Sequence, residues 1–150
     1  MVVALIFLIA VILFLVYLVV KRRITYIGFR PENTGILLSR RFAVAGKPDM
    51  VLRRGGGFVP VEMKSAEVNG NPREWDVAQL LTYCLIVEET MGFVPYGMLI
   101  YPNVTFTIPW DAARREYVVD LINEVRTGPY VRTNERWKCA HCPFRQVCLS

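Results

Sequence analysis

Charged residues are absent from the first twenty positions of the chain, and histidine occurs once among its 150 residues. Residues 2–20 are nineteen consecutive uncharged positions, nearly all of them apolar. At about 1.5 Å of rise per residue, a helix of this length spans a hydrocarbon core of roughly 30 Å. The sequence therefore predicts a transmembrane anchor over residues 1–23.

The same stretch lacks the features of a cleaved signal peptide, which are a charged n-region, a shorter apolar run and a small-residue cleavage site. The run ends instead at Lys21, Arg22 and Arg23. The positive-inside rule then places the rest of the chain on the cytoplasmic side, with the short N-terminus outside. We expect a single-pass membrane protein with lipid around its first helix. A signal peptide or a buried helix is the alternative.

Internal repeats, low-complexity segments and a strong charge bias are also missing. Three of the 18 basic residues lie in residues 1–23, so the remaining 15 basic and 13 acidic residues leave a net charge of +2. This excess is weak evidence for nucleic acid, although residues 40–54 and 126–150 each concentrate five basic residues against one acidic residue. Such zones could hold phosphates, or they could be ordinary solvated charge near lipid headgroups.

The length leaves room for one modest domain after the anchor. Residues 24–34 are predicted to be a linker, residues 35–128 the domain core, and residues 129–150 a cysteine-containing C-terminal segment. No second domain is expected.

Within the core, five segments have the composition of β-strands. The first, residues 34–46, reads as strand, and residues 48–54 and 58–64 follow around three glycines. Residues 96–102 and 104–110 form a second strand pair, with Pro-Asn as turn residues between them.

Two helices are predicted between and after these strands. The first has Asn71 as its N-cap, Pro72 at its first position, Glu74 three residues after the cap and Gly92 as its stop signal. The second covers residues 111–126. A sheet with helices packed on it is an α/β architecture.

Alternation in residues 58–64 separates two faces of the strand. Because successive side chains point to opposite faces, Val59, Val61 and Met63 are predicted to face a core. Glu62 and Lys64 then share the other face, which is the candidate site.

A two-residue turn at Gly55 and Gly56 would make the numbers of paired residues sum to 111. Asp49 would then lie opposite Glu62. Two carboxylates in that arrangement repel each other, but they could share one hard divalent ion, which prefers oxygen ligands. Lys64 on the same face could stabilise a phosphorane-like transition state, or position and deprotonate the attacking water.

Further motifs follow in a fixed order. Gln79 and Tyr83 are four residues apart on the predicted helix and so share a face. The chain ends with three cysteines in C-x2-C-x5-C spacing at residues 139–148. The pattern G-x-x-D followed by E-x-K resembles the PD-(D/E)xK nuclease superfamily, and Q-x-x-x-Y at this place resembles its RecB-like members. The tail resembles the iron–sulfur portion of the small CRISPR-associated RecB-like exonucleases.

This resemblance covers roughly residues 35–150, and the combination of motifs is more specific than any one of them. It implies a restriction-endonuclease-like fold, in which helices flank a mixed central sheet, here preceded by the transmembrane helix. It also implies a Mg²⁺- or Mn²⁺-dependent deoxyribonuclease, an exonuclease on single-stranded DNA ends. The partners would be DNA and CRISPR adaptation or repair proteins.

The resemblance also implies roles for individual residues. Asp49, Glu62 and the backbone carbonyl of Met63 would bind the metal ion, and Lys64 would be the catalytic lysine. Gln79 and Tyr83 would line the DNA path and orient the scissile phosphate. The candidate DNA contacts are Arg53, Arg54, Trp137, Lys138 and Arg145.

By the same resemblance, Cys139, Cys142 and Cys148 would be three ligands of a [4Fe–4S] cluster. The chain lacks the upstream cysteine and histidine that these relatives have, and its one histidine is His141. Cys84 lies on an apolar helix face and is expected to be a buried hydrophobe rather than the fourth ligand. Zn²⁺ or no metal is the alternative, and a cytoplasmic location disfavours disulfides.

Three other functions are compatible with the sequence. A catalytically degenerate fold would serve as a DNA-binding or assembly module. A structure-specific endonuclease could be built on the same fold. A membrane-tethered redox protein is the weakest option, because three cysteines do not explain the order of the acids, lysine, glutamine and tyrosine.

Overall fold

The computed structural model describes the backbone of residues 2–27, 35–128 and 140, and the side chains of residues 5–20, 35–128 and 140. Two compact units are distinguished, Met1–Val119 and Asp120–Ser150. The first unit contains the sheets and every candidate site residue described below. Of the second unit, the structure describes residues 120–128, which are helical up to residue 127, and residue 140.

The apolar N-terminal run forms helix α1, Val2–Arg23. Its large apolar side chains between Leu5 and Val20 are exposed by 38% to 72%. Across the part of the chain that the structure describes, no helix meets both the length and the apolarity that crossing a membrane requires. The prediction of a helix is thus confirmed, and the prediction that it spans a membrane is not. The segment assigned to a linker begins with a strand, β1, Ile24–Ile27.

A five-stranded mixed sheet forms the centre of the domain. Across the sheet the strands lie in the order β1, β4 (Met50–Arg54), β5 (Gly57–Met63), β6 (Tyr96–Ile100) and β7 (Thr105–Pro109). The pair β5–β6 is parallel, whereas the other three pairs are antiparallel. Because parallel neighbours need a crossover connection, a helix joins β5 to β6. The predicted α/β fold with a mixed central sheet flanked by helices is confirmed.

Residues 34–46 were expected to be strand throughout, and this expectation is wrong in its middle. The segment forms a two-stranded antiparallel sheet from β2 (Leu37–Ser39) and β3 (Val44–Gly46). A turn separates the strands, and the Phe42 amide donates a hydrogen bond to Ser39 Oγ (3.3 Å). The chain therefore folds back on itself before it enters β4.

The β4–β5 hairpin has the predicted register. Each pair, from Met50 with Val61 to Arg54 with Gly57, has numbers that sum to 111. Gly55 and Gly56 occupy the turn with φ angles of 57° and 78°, a region that side-chain-bearing residues rarely adopt. The two glycines thus allow the tight turn that sets the register of the candidate site.

Helix α2, Glu74–Met91, is the crossover and ends at Gly92 as predicted. Its start was predicted two residues too early, because Arg73 rather than Asn71 is the N-cap. Arg73 is held in an extended conformation, and its amide donates to Tyr101 Oη (3.3 Å). A contact with a residue distant in the sequence therefore decides where the helix begins.

Helix α3, Ala112–Thr127, begins and ends one residue later than predicted. Asp111 precedes it, and its Oδ1 atom accepts a hydrogen bond from the Arg114 amide (2.9 Å), as an N-cap carboxylate does. This hydrogen bond and the negative charge of Asp111 near the helix N-terminus stabilise the first turn of α3.

Helix α2 packs closely on the sheet at Gly97 of β6. A Cβ atom at this position would lie 2.9 Å from both Cys84 Sγ and Leu80 Cγ. Both side chains are fully buried, so they have little room to move away. The close approach of helix and strand depends on a residue without a side chain.

We expect Gly97→Ala to lower the free energy of unfolding by about 1–3 kcal/mol, the usual effect of overpacking a core. Gly35→Ala is the matched control, because a Cβ atom at Gly35 would meet nothing within 4 Å. Urea unfolding of both variants measures the difference. Equal stability of the two variants would contradict the packing described here.

Candidate active site

Asp49 and Glu62 both lie at the open end of the β4–β5 hairpin. Asp49 directly precedes β4, and its Oδ2 atom accepts a hydrogen bond from the Met63 amide (2.7 Å). Glu62, on β5, is 7% exposed. Met63 was expected to face the core, but its side chain is 48% exposed, since it ends β5 beyond the last β4–β5 pair.

The ammonium group of Lys64 lies at the centre of the site. Its Nζ atom is 3.1 Å from Glu62 Oε1, 2.6 Å from Gln79 Oε1 and 3.0 Å from Asp76 Oδ1. An ammonium has three N–H donors and accepts no hydrogen bond. The three contacts thus match its donor capacity, and they join the end of β5 to helix α2.

Gln79 connects the lysine to the other predicted helix residue, Tyr83. Its Oε1 atom accepts from Lys64, while its Nε2 atom donates to Glu62 Oε1 (2.9 Å) and to Tyr83 Oη (3.0 Å). The i, i+4 spacing on α2 places Gln79 and Tyr83 on one face of the helix. Of the predicted catalytic residues, Glu62, Lys64, Gln79 and Tyr83 therefore form one hydrogen-bonded group, with Asp49 beside it.

Gly46, the glycine of the G-x-x-D pattern, makes room for this group. A Cβ atom here would lie 2.7 Å from Tyr83 Cε1 and 3.0 Å from Ile86 Cδ1. The glycine thus lets the Tyr83 ring lie against the backbone of β3. This close packing holds helix α2 near β3, at a distance from which Gln79 reaches Lys64.

Asp76 belongs to the same group, and the sequence analysis missed it. Its Oδ1 atom pairs with Lys64, and its Oδ2 atom accepts a hydrogen bond from Tyr101 Oη (2.7 Å). The spacing could have revealed it, because Asp76 lies three residues before Gln79 and so on a neighbouring part of the same helix face. The site therefore contains a third carboxylate.

The electrostatic environment favours a cation near Glu62. Burial is the largest cause that raises the pKa of Glu62; the hydrogen bond from Lys64 opposes it, and the charges of Asp49 and Asp76 raise the pKa further. For Lys64, burial lowers the pKa, but hydrogen bonds to Asp76 and Glu62 outweigh burial and the net shift is upward. Lys64 is thus a stable ammonium, whereas the Glu62 carboxylate is destabilised and would gain from a metal ion.

The donor chemistry fits a hard divalent cation. Carboxylates are the ligands that Mg²⁺ prefers, and this ion usually keeps several waters rather than a complete protein cage. Among the described residues, no group of three or more His, Cys, Asp or Glu side chains is arranged to hold a metal ion. Asp49 accepts a hydrogen bond from the Met63 amide, next to Glu62 in the chain, so two carboxylates lie at one strand end, which suits an ion held by two acids and water.

Two of the predicted DNA contacts, Arg53 and Arg54, lie in the described part of the chain, away from this site. Arg53 and Arg54 lie at the turn end of β4, about 14 Å along the strand from Asp49 at some 3.4 Å per residue. Arg53 instead stacks over the Phe58 ring, with 5.9 Å between its Cζ atom and the ring centroid. The alternation rule predicts which face a strand residue occupies, but not its distance from the site.

Other predicted residues fall outside the described part of the chain, namely Trp137, Lys138, Cys139, Cys142, His141, Arg145 and Cys148. Their roles stay predictions. Cys84 is fully buried in the core as expected, and burial raises the pKa of its thiol. A protonated, buried thiol behaves as a small apolar side chain.

A family model and a solved structure match parts of this chain. The family model for the PD-(D/E)XK nuclease superfamily matches residues 11–149, which include the hairpin, α2 and the rest of the site. Among solved structures, the chain is similar to the crystal structure of SSO0001, with 22% sequence identity and a TM-score of 0.46. The similarity covers 69% of this chain and 50% of that one, so the chain spans about half the length of this solved relative.

Removal of the Lys64 charge should destabilise the metal-free protein. Lys64→Met leaves the buried carboxylates of Glu62 and Asp76 without their cation, and breaking a buried pair in this way costs about 3 kcal/mol or more. Lys47→Met is the control, because Lys47 is exposed. Urea unfolding in EDTA should show a clear loss of stability for Lys64→Met alone, and similar stability of the two variants would contradict the pairing.

Proposed function

The chain belongs to the PD-(D/E)XK nuclease superfamily, and from this premise we propose that it is a Mg²⁺- or Mn²⁺-dependent deoxyribonuclease whose active site is formed by Asp49, Glu62 and Lys64. A nuclease of this superfamily binds DNA and depends on a metal ion.

One observation carries the assignment to these residues. The Lys64 ammonium is hydrogen-bonded to Glu62 on β5 and to Gln79 on α2, so the E-x-K and Q-x-x-x-Y patterns meet at a single nitrogen atom. Residues that only solvate a surface do not need a shared, largely buried hydrogen-bond centre. The joint geometry supports a catalytic site more strongly than either sequence pattern.

Each residue has a defined task in hydrolysis. Asp49 and Glu62 would hold the divalent ion, which when bound lowers the pKa of a water molecule and neutralises charge on the phosphate. Lys64, held as an ammonium by three acceptors, places a positive charge where the negative charge of the transition state develops. Gln79 fixes the orientation of both Glu62 and Lys64, and Tyr83 fixes Gln79.

We propose further that the enzyme is an exonuclease on single-stranded DNA ends, with a role in CRISPR spacer acquisition or in DNA repair. The support is the order of motifs that resembles the CRISPR-associated RecB-like exonucleases. The three C-terminal cysteines would hold a [4Fe–4S] cluster, with Zn²⁺ or no metal as the alternative. Iron and sulfide analysis of anaerobically purified protein tests the cluster.

The wild-type protein should cleave linear single-stranded DNA with Mg²⁺ or Mn²⁺ and lose this activity in EDTA. Lys64→Ala should lower the cleavage rate about 100-fold or more, the range in which loss of one catalytic electrostatic group falls. Arg114→Ala should retain full activity, because Arg114 is 40% exposed and pairs with Asp111 at the start of α3 rather than with the hydrogen-bonded group. Gel assays of linear and end-blocked circular DNA measure both the rate and the mode of cleavage.

The outcomes separate the alternatives. Cleavage of circular DNA would indicate an endonuclease of the same fold. A wild-type protein that binds DNA but does not cut it would indicate a degenerate binding module. Equal cutting by wild type and Lys64→Ala would reject the site itself.

The location at a membrane is a separate proposal. Its support is the exposure of the apolar α1 side chains and the three basic residues that follow residue 20. We expect the full-length chain to pellet with membranes and to resist extraction with high salt or carbonate, whereas a chain that begins after residue 23 stays in the supernatant. Recovery of the full-length chain in the supernatant would contradict an anchored protein.

A further inference from the structure

Asp76 is a buried carboxylate that the proposed nuclease mechanism leaves without a task. It lies in the first turn of α2 and is 4% exposed. A buried charge is unfavourable unless it is paired and hydrogen-bonded. Both of its oxygen atoms have such partners, Lys64 Nζ at 3.0 Å and Tyr101 Oη at 2.7 Å. The neighbouring acid of the same turn, Glu74, is exposed.

Tyr101 holds this carboxylate from the side of the sheet. Its side chain is 2% exposed, and its ring packs edge-on against Phe106 with 5.9 Å between centroids. The hydroxyl accepts a hydrogen bond from the Arg73 amide (3.3 Å) and donates one to Asp76. The carboxylate orientation is therefore fixed by a buried ring and by the backbone at the start of α2.

Asp76 differs from the two acids that fit a metal ion in its contacts, because both of its oxygen atoms already have partners, Lys64 and Tyr101. Glu62 contacts Lys64 through Oε1 and also belongs to the pair that suits a divalent cation. A bound cation would draw negative charge from Glu62, so the attraction between Glu62 and Lys64 would weaken. Asp76 would then be the remaining anionic partner of the Lys64 ammonium. It would hold this ammonium beside the bound cation, which is also positively charged.

We infer that Asp76 is a positioning residue that holds the Lys64 ammonium in the active site, and that it acts on catalysis through Lys64 rather than through the metal ion. This inference rests on the proposed nuclease function. It predicts that Asp76 affects the rate of the bound complex more than it affects binding of DNA or of metal.

The test compares Asp76→Asn with Glu74→Gln in the full-length chain. Asp76→Asn keeps the shape of the side chain and can still accept from Tyr101, but it removes the charge that faces Lys64. Glu74→Gln removes an acidic charge from the same helix turn at an exposed position, so it controls for the helix dipole. Asp49→Asn serves as the reference for loss of a metal ligand.

We expect Asp76→Asn to lower kcat about 10- to 100-fold, as loss of a supporting partner of a catalytic group usually does, with KM for DNA unchanged. Its Mn²⁺ affinity, measured by calorimetry, should stay far closer to wild type than that of Asp49→Asn. In a Lys64→Ala background, the substitution should change the residual rate by no more than about twofold, because the residue through which it acts is gone. Glu74→Gln should match wild type in each measurement.

Three results would overturn the inference while leaving the nuclease function intact. These are a kcat of Asp76→Asn equal to that of Glu74→Gln, a loss of Mn²⁺ affinity equal to that of Asp49→Asn, and an undiminished effect in the Lys64→Ala background. A wild-type chain that does not cleave DNA, or that cleaves as well without Lys64, would reject the proposed function and the inference with it.

Tyr101→Phe covers the case in which Asp76→Asn does not fold. It keeps the buried ring and the carboxylate and removes the hydroxyl, and with it the hydrogen bonds to Asp76 and from the Arg73 amide. We expect a smaller decrease in kcat than for Asp76→Asn, with KM unchanged, and again no effect when Lys64 is alanine. An unchanged kcat in a folded Tyr101→Phe protein would count against the inference.

Discussion

The architecture of the site depends on one ammonium group. The Lys64 Nζ atom contacts the carboxylates of Glu62 and Asp76 and the side-chain amide of Gln79. Its charge offsets the repulsion between Glu62 and Asp76, which would otherwise oppose the packing of α2 against the end of β5. These contacts fix helix α2 on the sheet. They also fix the positive charge at the place where the proposed chemistry would occur.

A backbone constraint places this lysine. The positive φ angles of Gly55 and Gly56 permit a two-residue turn, and the turn sets which residues of β4 and β5 are paired. A shift of one residue would move Glu62 and Lys64 to the opposite face of the sheet, because side chains alternate along a strand. The chemistry of the site is therefore sensitive to two residues that carry no side chain and lie at the far end of the hairpin.

These local constraints explain what could be predicted from the sequence. The hairpin register follows from the turn type, and the shared face of Gln79 and Tyr83 follows from helical periodicity. The start of α2 could not be predicted, because the Tyr101 hydroxyl that holds Arg73 extended comes from 28 residues further along the chain. Helical spacing places Asp76 near the face of Gln79, but its burial could not be predicted, because it depends on contacts with Tyr101 and Lys64.

The distribution of charge in the site is consistent with the proposed binding of a divalent metal ion. Asp49, Glu62 and Asp76 carry three formal negative charges, and Lys64 carries one positive charge, which leaves a formal net charge of −2. A single divalent cation neutralises this excess, whereas Lys64 alone does not. Burial is the first cause of the raised pKa of Glu62, and the charges of Asp49 and Asp76 raise it further. Asp76 pairs with Lys64 instead, so it contributes to the position of the ammonium rather than to the binding of the metal ion.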